Sequence, residues 1–327
     1  MIKTPFTELL GVRHPIALAG MAGATSTELV AAVSNAGGLG ILAVSDAPPD
    51  RLAELVRELR ARTKAQFGLN ILLAFMTEEE IALVLDARPA VLSTAWPSDT
   101  QNLKDIFSRA HDRGAKVMHM VPTVADAVKA AEAGADVIVA QGMDGGGHIG
   151  LIGTITVVPA VATAVAPVPV LGAGGIADGR GLAAMLVLGA AGVLVGTRFL
   201  ATNEAPLHER FKKQIVDSDG TDTIVTDVGD IMMGGDWPGA LARVARNRAI
   251  ERWLGRTNEL RRRREDVRQK MYDARKRGDA DEALTYYGQS SALVHDIAPA
   301  GEVVERISRE AEDILRDRLP TLVGDKV

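Results

Sequence analysis

The sequence predicts an α/β fold, a (β/α)8 TIM barrel with an additional C-terminal helical cap region, and three observations predict it. A helix end, a glycine break and a short apolar run recur at Ser34–Val44, Glu132–Ala140 and Leu188–Gly196, the repetition of a chain built from one supersecondary unit. Apolar runs of this kind number eight by about residue 197, with a helical segment in most of the gaps; such alternation builds a parallel sheet clad in helices. The last two runs each lead into a glycine-rich turn, where barrels recurrently bind phosphate.

The strands are expected at roughly Pro15–Ala19, Gly40–Val44, Gly68–Leu72, Val91–Ala95, Lys116–Val121, Val137–Gln141, Val168–Gly172 and Gly192–Thr197. They lack polar alternation, as strands buried on both faces do. Ser26, Thr123 and Asp178 precede the helical segments Glu28–Asn35, Val124–Ala133 and Gly179–Leu188, and each is an N-cap type. Sequence alone does not separate a closed barrel from an open sheet. After Thr197 the texture changes to mixed helical patches, a Met232–Gly239 loop and a stretch, Asn258–Arg277, dense in both charge signs. The expected division is a barrel over 1–204, a helical cap or lid over 205–290, and a C-terminal helix over 291–327 that returns to the barrel.

Composition narrows the function. Of 327 residues, 47% are hydrophobic and 24% charged, the balance of a globular protein with a sizeable core. A net charge of −5 argues against a duplex nucleic-acid binder. The Arg261–Arg264 run is flanked by Glu259, Glu265 and Asp266, so it reads as a solvated, salt-bridged helix face. With no cysteine, disulfides, iron–sulfur clusters and thiolate chemistry are excluded. The six histidines show no metal-binding spacing, so no metal is expected. The N-terminus has no secretory apolar run, and no stretch reaches the roughly 18 apolar residues of a membrane span. A soluble, cytoplasmic protein is expected.

The strongest chemical signal follows the seventh and eighth strands. Gly172-Ala173-Gly174-Gly175 and Val195-Gly196-Thr197 can bring backbone N–H groups close to a phosphate, since glycine lacks a Cβ. The helix starting near Asp178 is expected to add unpaired donors. Asp178 itself reads as a cap and Arg180 as surface. Asn70 and Gln141 interrupt apolar strands near their C-terminal ends. Each could tie strands together, but at the ligand face both suit the amide edge of a flavin. His119 reads as a core histidine as readily as a flavin contact. His148 stands in the Gln141–Gly150 loop, among four glycines from Gly142 to Gly147, and can exchange a proton near neutral pH. Its alternative is a surface-loop histidine. Asp144 reads as a turn residue.

These motifs resemble the nitronate monooxygenase (2-nitropropane dioxygenase-like) family of FMN barrels, which also includes FMN-dependent enoyl-ACP reductases and a related NADH:quinone reductase. The resemblance covers nearly the whole chain. It rests on His14-Pro15-Ile16 with Gly20-Met21, Asn35–Gly40, Phe67–Asn70, Gln141–Gly150, Gly174–Gly181, Gly196–Leu200 and Gly288–Leu293. It implies FMN as cofactor. Gly20, Met21, Ala22, Asn70 and Gln141 would contact the isoalloxazine and ribityl parts, Gly146 and Gly147 would line the cofactor, and Ala173, Gly174, Gly175, Val195, Gly196 and Thr197 would surround the phosphate. His148 matches the family histidine assigned as the base in nitroalkane oxidation.

Three functions follow. The first is a nitronate monooxygenase, oxidising alkyl nitronates with O2 to a carbonyl compound and nitrite. The second is an NAD(P)H-dependent reductase of enoyl thioesters or quinones. The third is a non-redox barrel binding a sugar phosphate, which makes no use of Asn70 and Gln141. The Asp144–Gly150 loop looks closer to the enoyl reductases, and Trp237–Asn247 closer to the monooxygenases. Expected partners are a small-molecule substrate, NAD(P)H in the reductase branch, and a second copy of the chain in a homodimer; nucleic acid and membrane are not expected.

Overall fold

Eight parallel strands lie in the order β1-β9-β8-β6-β5-β4-β3-β2: β1 (Ile16–Leu18), β2 (Gly40–Ala43), β3 (Phe67–Leu72), β4 (Val91–Ala95), β5 (Lys116–Val121), β6 (Val137–Gln141), β8 (Val170–Ala173) and β9 (Gly192–Val195). Three further strands, β7 (Gly147–Ile149), β10 (Thr223–Thr226) and β11 (Leu241–Ala245), form a separate antiparallel sheet. This computed structural model describes residues 1–235, 237 and 239–322; Asp236 and Pro238 of the Met232–Gly239 loop lie outside them. The two ends of the large sheet meet where Leu18 N donates to Leu39 O and Leu39 N to Ile16 O, both at 2.9 Å. That contact brings the two edges into a nearly closed barrel, the fold class the sequence predicts.

Every barrel strand begins and ends within two residues of its expected place. The seventh starts later because Pro169 has no N–H for the ladder. The eighth ends earlier because Thr197 opens a short helix, Thr197–Leu200. Alternation of side chains sorts each strand into two layers. Leu69, Leu92, Val117, Ile138 and Val193 pack outward with the helices. Val91, Met118, Val137, Leu171 and Leu194 pack into the barrel interior. The N-terminal helix Pro5–Leu10, started by a Thr4 capping box, adds Phe6 and Leu10 to that interior cluster. The lower barrel is therefore filled with apolar side chains. On the same inward parity, the C-terminal strand ends carry Ala43, Asn70, Ser93, Gln141 and Ala173. Short and polar residues replace bulky ones there, which leaves the mouth to a ligand.

Ser26, Thr123 and Asp178 cap the helices Thr27–Asn35, Val124–Glu132 and Gly179–Val187. After residue 204 come the helices Glu209–Asp217, Val228–Met233, Arg248–Trp253, Thr257–Arg262 and Arg264–Arg277. Besides these helices, the region read as a helical cap holds β10 and β11; β11 is the middle strand, paired antiparallel with β10 on one side and β7 on the other. The β-branched run Thr223-Ile224-Val225-Thr226 carries the physical signal for β10, but four residues are too few to outweigh helical surroundings. The charged stretch breaks at Arg263 into two helices. Its arginines pair as a solvated face should: Arg263 with Glu259 and Arg268 with Glu265. The helix Ala300–Asp313 packs on the helices Gly179–Val187 and Thr27–Asn35. Among the described residues, no helix is long and apolar enough to cross a membrane.

Candidate active site

The loops after β6, β8 and β9 converge at the C-terminal end of the barrel with the segment Tyr286–Ser291. Gly288 N donates to Thr197 Oγ1 at 2.9 Å, and Gln289 N to Asp144 O at 3.0 Å. A Cβ on Gly146 would lie 2.4 Å from the backbone carbon of Tyr287, and one on Gly288 would lie 2.8 Å from Gly146 N. Only glycine allows so close an approach of two backbones. Asp144 is a turn residue, as expected: its Oδ2 accepts from Thr154 N and Oγ1 at 3.0 and 2.5 Å. The buried Arg243 donates to Met143 O and is close enough to Asp144 to feel its charge.

Gly174 and Gly175 have φ of +97° and +75°, the left-handed conformation that favours glycine. Among the described residues, their amides and those of Gly196 and Thr197 have no backbone acceptor. They follow neighbouring strands, β8 and β9, and unbonded N–H groups in such turns suit an anion. The helix N-terminus contributes differently from the expectation. Gly181 N is taken by Asp178 Oδ1, and Gly179 N donates to Glu310 Oε2 at 2.8 Å. A carboxylate from the Ala300–Asp313 helix thus already caps the end that was expected to offer free donors. Arg180 is exposed and paired with Asp178.

Around the mouth, Gly20 packs on Asn70, where a Cβ would lie 2.4 Å from Asn70 Cβ. Asn70 Nδ2 donates to Ser93 Oγ and O at 3.1 and 3.3 Å, so it does tie β3 to β4. Gln141 makes no such tie. Its Oε1 is buried with no hydrogen-bond partner. Met21 approaches Gly196, while Ala22 is exposed in the turn after β1. Ala173 faces the interior. Val195 faces the helix layer, with its carbonyl accepting from Ala19 N.

His119 has outward parity with Val117 and Val121. Its Nδ1 lies 2.7 Å from Thr94 Oγ1, and its ring packs on Phe107 at 5.6 Å. Burial lowers its pKa to about 4. It is a neutral core histidine.

His148 is at the mouth, and its setting was not legible in the sequence. It lies on β7, in register with Ala242 of β11. Its Nε2 is 2.8 Å from Asp230 Oδ1, with both side chains about nine-tenths buried, at 12% and 11% exposure. Trp237 stacks on the imidazole, ring centroids 3.3 Å apart and planes within 3°. Trp237 also packs against Phe75 and Trp96, at 4.7 and 6.3 Å. Tyr286 lies 6.2 Å from the imidazole, its phenol pushed up by burial and then by the Asp230 charge. Trp237, Phe75 and Trp96 form an aromatic wall drawn from the loops after β3 and β4 and from the cap. Their sequence distances are too long for any local motif. Two clefts, about 350 Å³ beside Gln214 and about 300 Å³ beside Trp253, lie away from this wall and are lined largely by charged side chains.

Glycine turns after the last two parallel strands, an unpaired amide at the end of β6 and a histidine fixed by Asp230 and Trp237 are the parts a barrel enzyme would need at this end. The comparisons with known proteins agree. The sequence profile of the nitronate monooxygenase family matches residues 3–82 and 74–310, and the chain belongs to that family. A probable nitronate monooxygenase of Staphylococcus saprophyticus is 30% identical across 96% of this chain and 99% of its own length. FabK from Thermotoga maritima superposes with a TM-score of 0.87 at 34% identity, over 99% of this chain and 100% of its own. A nitroalkane oxidase from Streptomyces ansochromogenes superposes at 0.82 with 26% identity, over 98% and 100%. A (3aS,4S,5R,7aS)-5-hydroxy-7a-methyl-1-oxo-octahydro-1H-indene-4-carboxyl-CoA dehydrogenase of Mycobacterium tuberculosis is 39% identical over 69% of this chain, the match spanning 63% of that protein. Membership of an oxidoreductase family removes the non-redox sugar-phosphate reading.

Proposed function

We propose that the protein binds FMN at this mouth and acts as a nitronate monooxygenase, oxidising alkyl nitronates with O2 to a carbonyl compound and nitrite. The observation that carries the proposal is the His148 imidazole held by Asp230 and Trp237. Two features of the chain suit FMN. Gln141 Oε1 needs a donor, and an unmade bond to a buried carbonyl costs about 1–3 kcal/mol; a flavin pyrimidine N–H would supply that donor. The amides of Gly174, Gly175, Gly196 and Thr197 suit the phosphate, with Ala173 and Val195 framing them. Gly20, Met21, Ala22, Asn70, Gly146 and Gly147 would flank the ring system and the ribityl chain. FMN, when bound, supplies the redox chemistry.

The chain's own part is proton transfer and enclosure. His148 removes a proton from carbon next to a nitro group, or holds the anion once formed, and acid–base groups of this kind contribute about 10²–10⁴-fold. Trp237, Phe75 and Trp96 exclude water from that side. A second reading is an NAD(P)H-dependent reductase of enoyl thioesters or quinones; the FabK likeness and the CoA-thioester dehydrogenase relative favour it. Oxygen uptake and nitrite release with propyl-2-nitronate, compared with nicotinamide oxidation in the presence of an enoyl thioester, separate the two. Nitrite release with inert nicotinamides supports the proposal; nicotinamide oxidation without nitrite rejects it.

A further inference from the structure

We infer that Asp230 is a positioning residue that fixes the His148 tautomer, holding Nε2–H so that Nδ1 presents its lone pair to substrate. The inference rests on His148 being the base proposed above. The fold builds the pair from parts distant in sequence. His148 is stitched into the second sheet through β7 and β11, and Asp230 sits on Val228–Met233, the connection between β10 and β11. The carboxylate lies 2.8 Å from Nε2, and Trp237 covers one face of the ring. One edge and one face are thereby occupied, and no residue among those described bonds Nδ1.

The surroundings favour this polarity. Tyr286, whose ring lies beside the imidazole, is kept protonated by burial and by Asp230. Arg275 and Tyr272 act on Tyr286, with no bond to the His148–Asp230 pair. A carboxylate can only accept, so the neutral imidazole must place its proton on Nε2. Deprotonation then breaks the substrate C–H bond and forms Nδ1–H. The electron pair stays on the substrate as its nitronate, and Asp230 stabilises the imidazolium.

The test uses the FMN-loaded protein labelled with ¹⁵N-histidine, near pH 8.5. A slowly exchanging proton on His148 Nε2, identified by its loss in His148→Gln, is expected in the wild type and should disappear in Asp230→Ala. Asp230→Asn keeps the volume if the alanine variant does not fold. Either variant should lower kcat/KM for neutral 2-nitropropane by about 100-fold, the scale of a lost acid–base contribution. Turnover of preformed propyl-2-nitronate, which needs no deprotonation, should fall much less than that of 2-nitropropane, because there the imidazole only holds the anion. A wild-type proton on Nδ1, or equal losses with both substrates, overturns the inference. If the wild type oxidises neither compound, the proposed function fails, while the position of the proton still decides the role of Asp230.

Discussion

Gln141 Oε1 is buried at the end of β6 with nothing donating to it, a condition that costs about 1–3 kcal/mol until a donor arrives. Replacing Gln141 with leucine should therefore stabilise the cofactor-free protein by about 1 kcal/mol while weakening FMN about tenfold. Denaturant midpoints and flavin titration read the two effects, and a variant that binds FMN as tightly as wild type contradicts the assignment. His148→Ala should leave FMN bound and lower turnover of neutral 2-nitropropane by about 100-fold; unchanged turnover of that substrate removes His148 from the chemistry. His119 behaves differently because it is sealed in the helix layer. Its pKa of about 4 lies below the ordinary 6.5, so the unfolded chain binds more protons between those values. Stability should fall as pH drops from about 6.5 towards 4, by up to about 3 kcal/mol, and be fully present above that window. His119→Asn should flatten the slope of denaturant midpoint against pH, and an unchanged slope would assign it elsewhere. Residue identities at the mouth were readable because Asn70 and Gln141 break apolar runs. Asp230 and Trp237 were not, because nothing local marks a partner 82 residues from His148.

Glycine placement carries the argument at the scale of elements. The cradle after β8 exists because Gly174 and Gly175 take positive φ. A Cβ on Gly175 would meet Asp144 Cβ at 3.3 Å, pressing on the β6 loop rather than filling the anion's place directly. Gly175→Val should still give colourless protein, since a β-branched residue in that conformation displaces the amides. Retention of one FMN per chain would contradict the cradle. The strands and capped helices of the barrel were legible because burial on both faces and N-cap chemistry are local signals. The second sheet was not. β7 is three residues of a glycine-rich loop, and it becomes a strand only because β11, almost a hundred residues later, pairs with it.

For the whole molecule, a filled lower barrel and a mouth of short and polar side chains explain why one end is inert and the other chemical. Phe6, Leu10 and the inward apolar residues of the strands close the bottom. The second sheet holds His148, and the helix between β10 and β11 holds Asp230; under the proposed function the region after residue 204 would complete the site. Closure of the sheet through Leu39 was open on sequence grounds, because a few hydrogen bonds at the seam decide it. Family membership narrows the chemistry to flavin-dependent oxidoreduction; under the proposed function, substrate choice would fall to the aromatic wall and His148. Absorbance of the purified protein under anaerobic conditions, with propyl-2-nitronate, NADH and NADPH added separately, tests this most directly. Loss of the flavin bands with nitronate alone is the predicted result; loss with a nicotinamide while nitronate leaves the bands unchanged would contradict it.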